Sequence, residues 1–305
     1  MTEADQRRPD GLPLRIENSR FHGYIDAGSH ENTILASVNL QLKGRRRAIV
    51  KVCVLASSSS GNSTFIRTER TRILVDAGLS KRDILARLAV IEEQPESLDA
   101  ILITHEHSDH VSGLVALAKQ PDIPIFSTRL TANSIPWNDF SPRLDCFGAG
   151  TRFSVGDIEV SSFTVPHDAI DPVGFCFESG GVKIGLVFDL GYITDSIRFH
   201  LKGTHLLILE SNHDLEMLRD GPYPWSVRQR IMGRMGHLSN DAVCDFIRND
   251  LDVSVSTLVL GHLSEHTNHP ARVEHDAMMA LSARGLFSPR LVVVAPKQQT
   301  EVFAY

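Results

Sequence analysis

The chain has 305 residues, enough for one or two domains and for a core that needs no disulfide or structural metal to fold. Hydrophobic residues make up 42% and charged residues 22%; 31 Lys and Arg against 37 Asp and Glu leave a net charge of −6 with His neutral. These values exclude a disordered, collagenous or coiled-coil chain, and an acidic protein does not coat itself in nucleic acid, although a local basic groove remains compatible with them.

The region 1–49 is polar, with one alternating stretch, Thr33–Leu42, of strand character and a basic cluster, Gly44–Arg47. It reads as an N-terminal extension, the cluster being either a solvated tail or a nucleic-acid contact. From Val50 the pattern changes to one α/β domain covering 50–305. Strands are expected at Val52–Ala56, Thr64–Thr68, Ile73–Val75 and Ala100–Thr104, with a Ser/Gly/Asn loop after the first and a helix from Ser80 to Val90. A helix Ser108–Lys119 follows, then strands Ile123–Ser127, Ile158–Val165, Gly174–Glu178, Lys183–Phe188, Leu206–Leu209, Thr257–Leu260 and Leu291–Ala295. Helical patterns fill Leu215–Arg219, Trp225–Met235, Asn240–Asp250 and Ala271–Arg284. The interleaving without a repeat or linker indicates an α/β fold.

Cys53, Cys146, Cys176 and Cys244 lie far apart with no C-x-x-C pair, which points to free thiols in a reducing compartment. The first residues lack the apolar core of a signal peptide, and no apolar run approaches the ~20 residues of a membrane span. The expected protein is cytoplasmic, without membrane contact or an obligate protein partner.

The chemistry concentrates in Thr104-His105-Glu106-His107-Ser108-Asp109-His110, between a buried strand and a helix start. Imidazole and carboxylate are ligands that zinc and related divalent cations accept. His105 and His107 alternate along the extended strand end and can grip one metal. Asp109 and His110, in the first helical turn, face away from that pair and can grip a second. Four further segments sit at strand ends in order: Asp76-Ala77-Gly78, Val165-Pro166-His167-Asp168, Phe188-Asp189-Leu190-Gly191 and Gly261-His262-Leu263-Ser264.

Together these five segments, over about residues 50 to 270, resemble the metallo-β-lactamase superfamily. The resemblance implies an αββα four-layer sandwich of metallo-β-lactamase type with two divalent metal ions, Zn or Mn. One would be held by His105, His107 and His167, the other by Asp109, His110 and His262, with Asp189 bridging and Asp76 bracing a ligating imidazole. Two cations about 3.5–4 Å apart share a hydroxide and neutralise charge on a reacting group; Asp109 would also orient that water.

Within the superfamily, true β-lactamases usually carry Cys or Ser at the fourth segment, and the glutathione-recognising helical region of glyoxalase-type thiolesterases has no clear equivalent here. The stretch between Asp189 and His262 is too short for the inserted domain of β-CASP nucleases. Instead, Cys53–Ser63 with its SSSSGN, Glu210-Ser211-Asn212-His213-Asp214, Tyr223-Pro224 with Arg228 and Arg230, Gly236–Asn240 and His262–Asn268 are similar to the YycJ-like (WalJ-like) subfamily. That similarity implies a metal-dependent exonuclease acting 5′ to 3′ on duplex DNA. The alternative is a small-molecule thiolester or cyclic-phosphodiester hydrolase of the same fold. Ser58 stands where the subfamily usually has Gly, which bears on substrate affinity, and Thr267 replaces one of its paired asparagines.

The expected substrate-binding residues are Ser60, Asn62, Asn212 and His213. The SSSSGN loop reads either as a phosphate cradle of N–H groups and hydroxyls or as a plain polar turn. His237 reads either as a proton donor or phosphate clamp at the mouth of the site, or as a structural histidine. Arg219, Arg228, Arg230 and Arg234, near Tyr223 and Trp225, suit either a nucleic-acid track or a solvated helix face.

Overall fold

The computed structural model describes residues 50–119, 122–285 and 289–305. The stretch Thr33–Leu42 and the cluster Gly44–Arg47 lie outside the described residues.

Two seven-stranded sheets face each other. The first has strands β1 (Lys51–Ala56), β2 (Ser63–Arg67), β3 (Arg72–Val75), β4 (Ala100–Leu102), β5 (Ile125–Thr128) and β6 (Leu144–Phe147) in sequence order, with β14 (Phe303–Ala304) added beside β1. The second runs β7 (Arg152–Val155), β8 (Ile158–Thr164), β9 (Val173–Ser179), β10 (Val182–Val187), β11 (Leu206–Glu210), β12 (Thr257–Gly261), β13 (Arg290–Val293). In each sheet three strand pairings are antiparallel and three parallel, the change falling at β3 and at β10.

Period-two alternation explains why the sheets are buried on both faces. Val52 and Val54 of β1 enter the core between the sheets, whereas Cys53 and Leu55 pack outward against α1 (Lys81–Val90). On β11, Leu206 and Ile208 face the other sheet, while Leu207 and Leu209 face the outer helices α5 (Asp195–Leu201), α8 (Asn240–Asn249) and α9 (Pro270–Ser282). The layers are therefore helix, sheet, sheet, helix. No described helix is long and apolar enough to cross a membrane.

The expected helix Ser108–Lys119 is two pieces, α2 (Ser108–Val111) and α3 (Leu114–Ala118). Gly113 donates its N–H to Ala77 O at 2.9 Å, and a Cβ there would lie 2.0 Å from Leu79 O. The break lets the 77–79 loop cross at the site. Helix α4 (Arg129–Ser134), strands β6 and β7, and α5 form where no element was expected. Ser80 and Ser239 cap α1 and α8, each side chain accepting from the N–H three residues on. The pattern at Trp225–Met235 is shorter, α7 (Trp225–Ile231), and α6 (Leu215–Asp220) precedes it.

Candidate metal centre

The carboxyl ends of β3, β4, β8, β10, β11 and β12 open on one edge of the sandwich, and all five segments singled out in the sequence meet there. Asp76, Asp189 and His262, directly after β3, β10 and β12 or one residue beyond, have φ of 60°, 55° and 56°. Left-handed backbone at a non-glycine residue costs of order 1–3 kcal/mol and persists where the surroundings over-determine it. Here they do: Asp76 N–H donates to Leu102 O at 2.8 Å and Leu190 N–H to Glu210 Oε2 at 3.1 Å, while His262 N–H donates to Ser57 Oγ at 2.6 Å.

The ligand atoms of His105, His107 and His167 lie within 4.8 Å of one another, as do those of Asp109, His110 and His262. Asp189 reaches both sets, with His105 and His110 on one side and His262 on the other. Buried His105 Nε2, His262 Nε2 and Asp189 Oδ2 have no hydrogen-bond partner. Asp189 Oδ2 is 2.9 Å from His110 Nε2, but without hydrogen-bonding geometry. An orphaned buried polar atom costs about 1–3 kcal/mol, and converging nitrogen and carboxylate donors are what a divalent cation satisfies. The residues present fit such ions.

Behind this cluster three of the imidazoles, those of His105, His110 and His167, are fixed by their other nitrogen. His110 Nδ1 lies 2.8 Å from Asp76 Oδ2, and Asp76 also accepts from Thr104 N–H and Oγ1, both at 2.9 Å. His105 Nδ1 meets Thr104 Oγ1 at 3.1 Å, and His167 Nδ1 meets Gly236 O at 3.1 Å. Both contacts turn Nε2 toward the centre. Gly78 is obligatory nearby, because a Cβ on it would sit 1.6 Å from Asp109 O.

Sequence reasoning missed Glu210. Its fully buried carboxylate lies 2.7 Å from His237 Nδ1 and 3.1 Å from His262 Nδ1, and its Oε2 accepts the N–H groups of Leu190 and Leu238. The available signal was a carboxylate closing the apolar run Leu206–Glu210, since an acidic residue is almost never buried without partners. Burial pushes the Glu210 carboxyl up, but His237 and His262 outweigh it and hold it at about 2. Burial pushes His262 down, and Asp189, Asp109 and Glu210 reverse that to about 10. Burial takes His105, which faces His110, well below the ordinary imidazole value.

Several expected substrate contacts are placed otherwise. The SSSSGN loop is not an open cradle: Ser58 N–H donates to Asn62 Oδ1, Ser60 N–H to Ser58 Oγ, Gly61 N–H to Ser58 O and Asn62 N–H to Asp109 O. Asn62 is buried, its amide donating to Ser58 O at 3.0 Å and lying 3.3 Å from Asp109 Oδ2, so it braces the loop that carries Asp109. Asn212 is buried too, its amide donating to His262 O at 3.0 Å. Ser60 is exposed and donates to Glu265. Ser58 adopts no positive φ, so the residue usual there is not required by the backbone. His213 is buried with Nδ1 unpartnered, and burial pushes its imidazole down to about 4. His237 is 18% exposed, against the fully buried Glu210 beside it.

Comparison with known proteins adds independent findings. The family described as the beta-lactamase superfamily domain matches residues 71–263. The chain is 38% identical over 223 residues to exodeoxyribonuclease WalJ of Streptococcus pneumoniae, covering 72% of this chain and 83% of that protein. It is 36% identical over 235 residues to exodeoxyribonuclease YycJ of Bacillus anthracis, covering 76% and 89%. Among solved structures, the metallo-beta-lactamase fold protein YhfI of Bacillus subtilis superposes with a TM-score of 0.64 at 15% identity, over 85% of this chain and all of that one.

Proposed function

The chain belongs to the metallo-β-lactamase superfamily, alongside the WalJ and YycJ exodeoxyribonucleases, and on that premise we propose that it is a metal-dependent DNA exonuclease working 5′ to 3′ on duplex DNA in the cytoplasm. The observation that carries the reading is the full donor set on the strand ends with the Glu210–His237 pair at 2.7 Å beside it.

One ion would be held by His105, His107 and His167 and another by Asp109, His110 and His262, with Asp189 between them; both zinc and manganese suit this set. When bound, such ions acidify water and neutralise charge on the phosphate. The protein's own groups do the rest. Asp76 locks the His110 ring, and Glu210 locks that of His262. Asp109 accepts a hydrogen bond from the attacking water and orients it. Glu210 accepts a hydrogen bond from His237 Nδ1–H, which leaves Nε2 directed at substrate. Burial pushes His237 down, yet Glu210 and then Asp189 raise it above the ordinary imidazole value. The ring therefore keeps a proton to deliver to the departing 3′ oxygen, a role worth 10²–10⁴-fold in rate.

Side-by-side assays on linear DNA, a simple aryl phosphodiester and a glutathione thiolester, with Mn²⁺ or Zn²⁺ present, test this. DNA and the diester are cleaved and the thiolester is left alone if the reading holds. Turnover of the thiolester with DNA intact overturns it.

A further inference from the structure

Helix α7 buries none of its side chains. Only Val227, Arg228 and Ile231 are half-buried, so most of the helix presents its side chains to solvent. Just before it, the Tyr223 ring meets His266 with centroids 5.9 Å apart, in the loop that follows His262. Near its other end Arg230 pairs with Asp168, adjacent to His167, and Gly236 just beyond accepts from His167 Nδ1. The helix therefore runs along the rim of the metal centre from one ligand-bearing loop to another.

Its chemistry is that of a nucleic-acid platform. Trp225 is 59% exposed, and Met232 and Met235 follow at 42% and 50%. Arg228 lies 5.9 Å from the Trp225 ring and Arg234 4.5 Å from that of Tyr192. Neither arginine pairs with a carboxylate among the described residues. Between Leu215 and Gly236 the sequence carries four arginines against two carboxylates, Glu216 and Asp220, in a chain whose net charge is −6. A duplex hides its base faces, so exposed rings and thioethers find partners in unpaired bases, while guanidiniums take the phosphates.

We propose that α7 is a landing platform for unpaired nucleotides of the DNA strand at the metal centre, with Trp225 stacking on a base and Arg228 and Arg234 holding backbone phosphates. The proposal rests on the reading of the site as a DNA hydrolase and gives that hydrolase a preference for ends carrying an unpaired stretch.

The test compares blunt duplexes with duplexes bearing a short single-stranded end, in Mn²⁺, for the wild type, Trp225→Ala and Trp225→Phe. KM for the overhang substrate rises about tenfold in Trp225→Ala, the Phe variant recovers most of that loss, and the blunt substrate moves much less. The loss appears in KM and not in kcat. Binding is read separately by quenching of tryptophan fluorescence on adding a single-stranded oligonucleotide. Trp137, the other tryptophan, is half-buried and donates to Ala132 O, so it supplies a constant background. Equal KM values for wild type and Trp225→Ala, or fluorescence unmoved by the oligonucleotide, overturn the platform. A wild type that cleaves the aryl diester but no DNA overturns the DNA reading, and quenching then decides the platform by itself.

Discussion

Glu210 shows how a buried charge is made useful. Alone in an apolar strand end it would be expelled or neutralised; with two imidazoles and two backbone N–H groups around it, it stays ionised and orients both rings. Glu210→Gln keeps the shape and removes the charge. We expect a loss of about 10–100-fold in kcat/KM, the usual cost of removing a partner behind a metal ligand, with the protein still folded by circular dichroism. Unchanged kinetics would remove Glu210 from the account. His237→Asn should cost at least as much if it delivers the proton, within the 10²–10⁴-fold range of acid catalysis, and little if the ring is structural. Of this layer the sequence showed the imidazoles and aspartates, because their spacing repeats at strand ends. It did not show Glu210, Asn62 or Asn212 in their bracing roles, because whether a side chain faces substrate or a neighbouring ligand depends on contacts between segments far apart in the chain.

At the scale of elements, the two sheets are pinned together at the end opposite the site. Thr68 and Thr71 hydroxyls, in the β2–β3 turn, donate to Asp157 Oδ1 at 2.7 and 2.6 Å, and Asp157 lies in the β7–β8 turn of the other sheet. Gly156 beside it has φ 55°, and a Cβ there would meet Thr71 Oγ1 at 2.0 Å. Burial pushes the Asp157 carboxyl up, but the Thr71 and Thr68 hydroxyls outweigh it and hold it below its ordinary value. A depressed carboxyl stabilises the fold above the unfolded value near ~4 and loses that contribution as pH falls through the folded one. Asp157→Asn should therefore melt a few degrees below the wild type near neutrality, and its melting temperature should converge on the wild type's in acid. A gap that stays constant with pH would contradict this role for the carboxylate. Long apolar strands were legible from alternation, and so were capped helices. Helix α4, strands β6 and β7, and α5 were not, since each is short and β6 is largely exposed, so that pairing with a neighbour, and not its own pattern, decides its state. The split between α2 and α3 was hidden for a similar reason, as Gly113 is needed by a crossing loop and not by its own helix.

Over the whole molecule, both sheets change from antiparallel to parallel pairing at a strand that delivers an aspartate, β3 for Asp76 and β10 for Asp189. The two halves thereby aim their carboxyl ends at one edge, which is why residues as distant as Asp76 and His262 share a centre. The far end of the chain closes the first sheet: Val50 and Tyr305 exchange two backbone hydrogen bonds at 3.0 Å, and Phe303 enters the core between the sheets. Removing 303–305 should uncover the edge of β1 and lower the melting temperature by several degrees; a melt identical to that of the full chain would deny β14 that role. The fold class and its segment order were visible in the sequence because strand-end motifs recur in a fixed sequence order. The arginine-bearing α7 could be read two ways there, and the proposal for it rests on its position along the rim. The measurement that bears most directly on the central claim is release of label from end-labelled linear duplex DNA with Mn²⁺ or Zn²⁺, wild type beside His107→Ala. Stepwise loss from the 5′ ends that disappears in the variant and on chelation is the predicted result. Intact DNA from wild-type protein shown to carry its metal ions would contradict it.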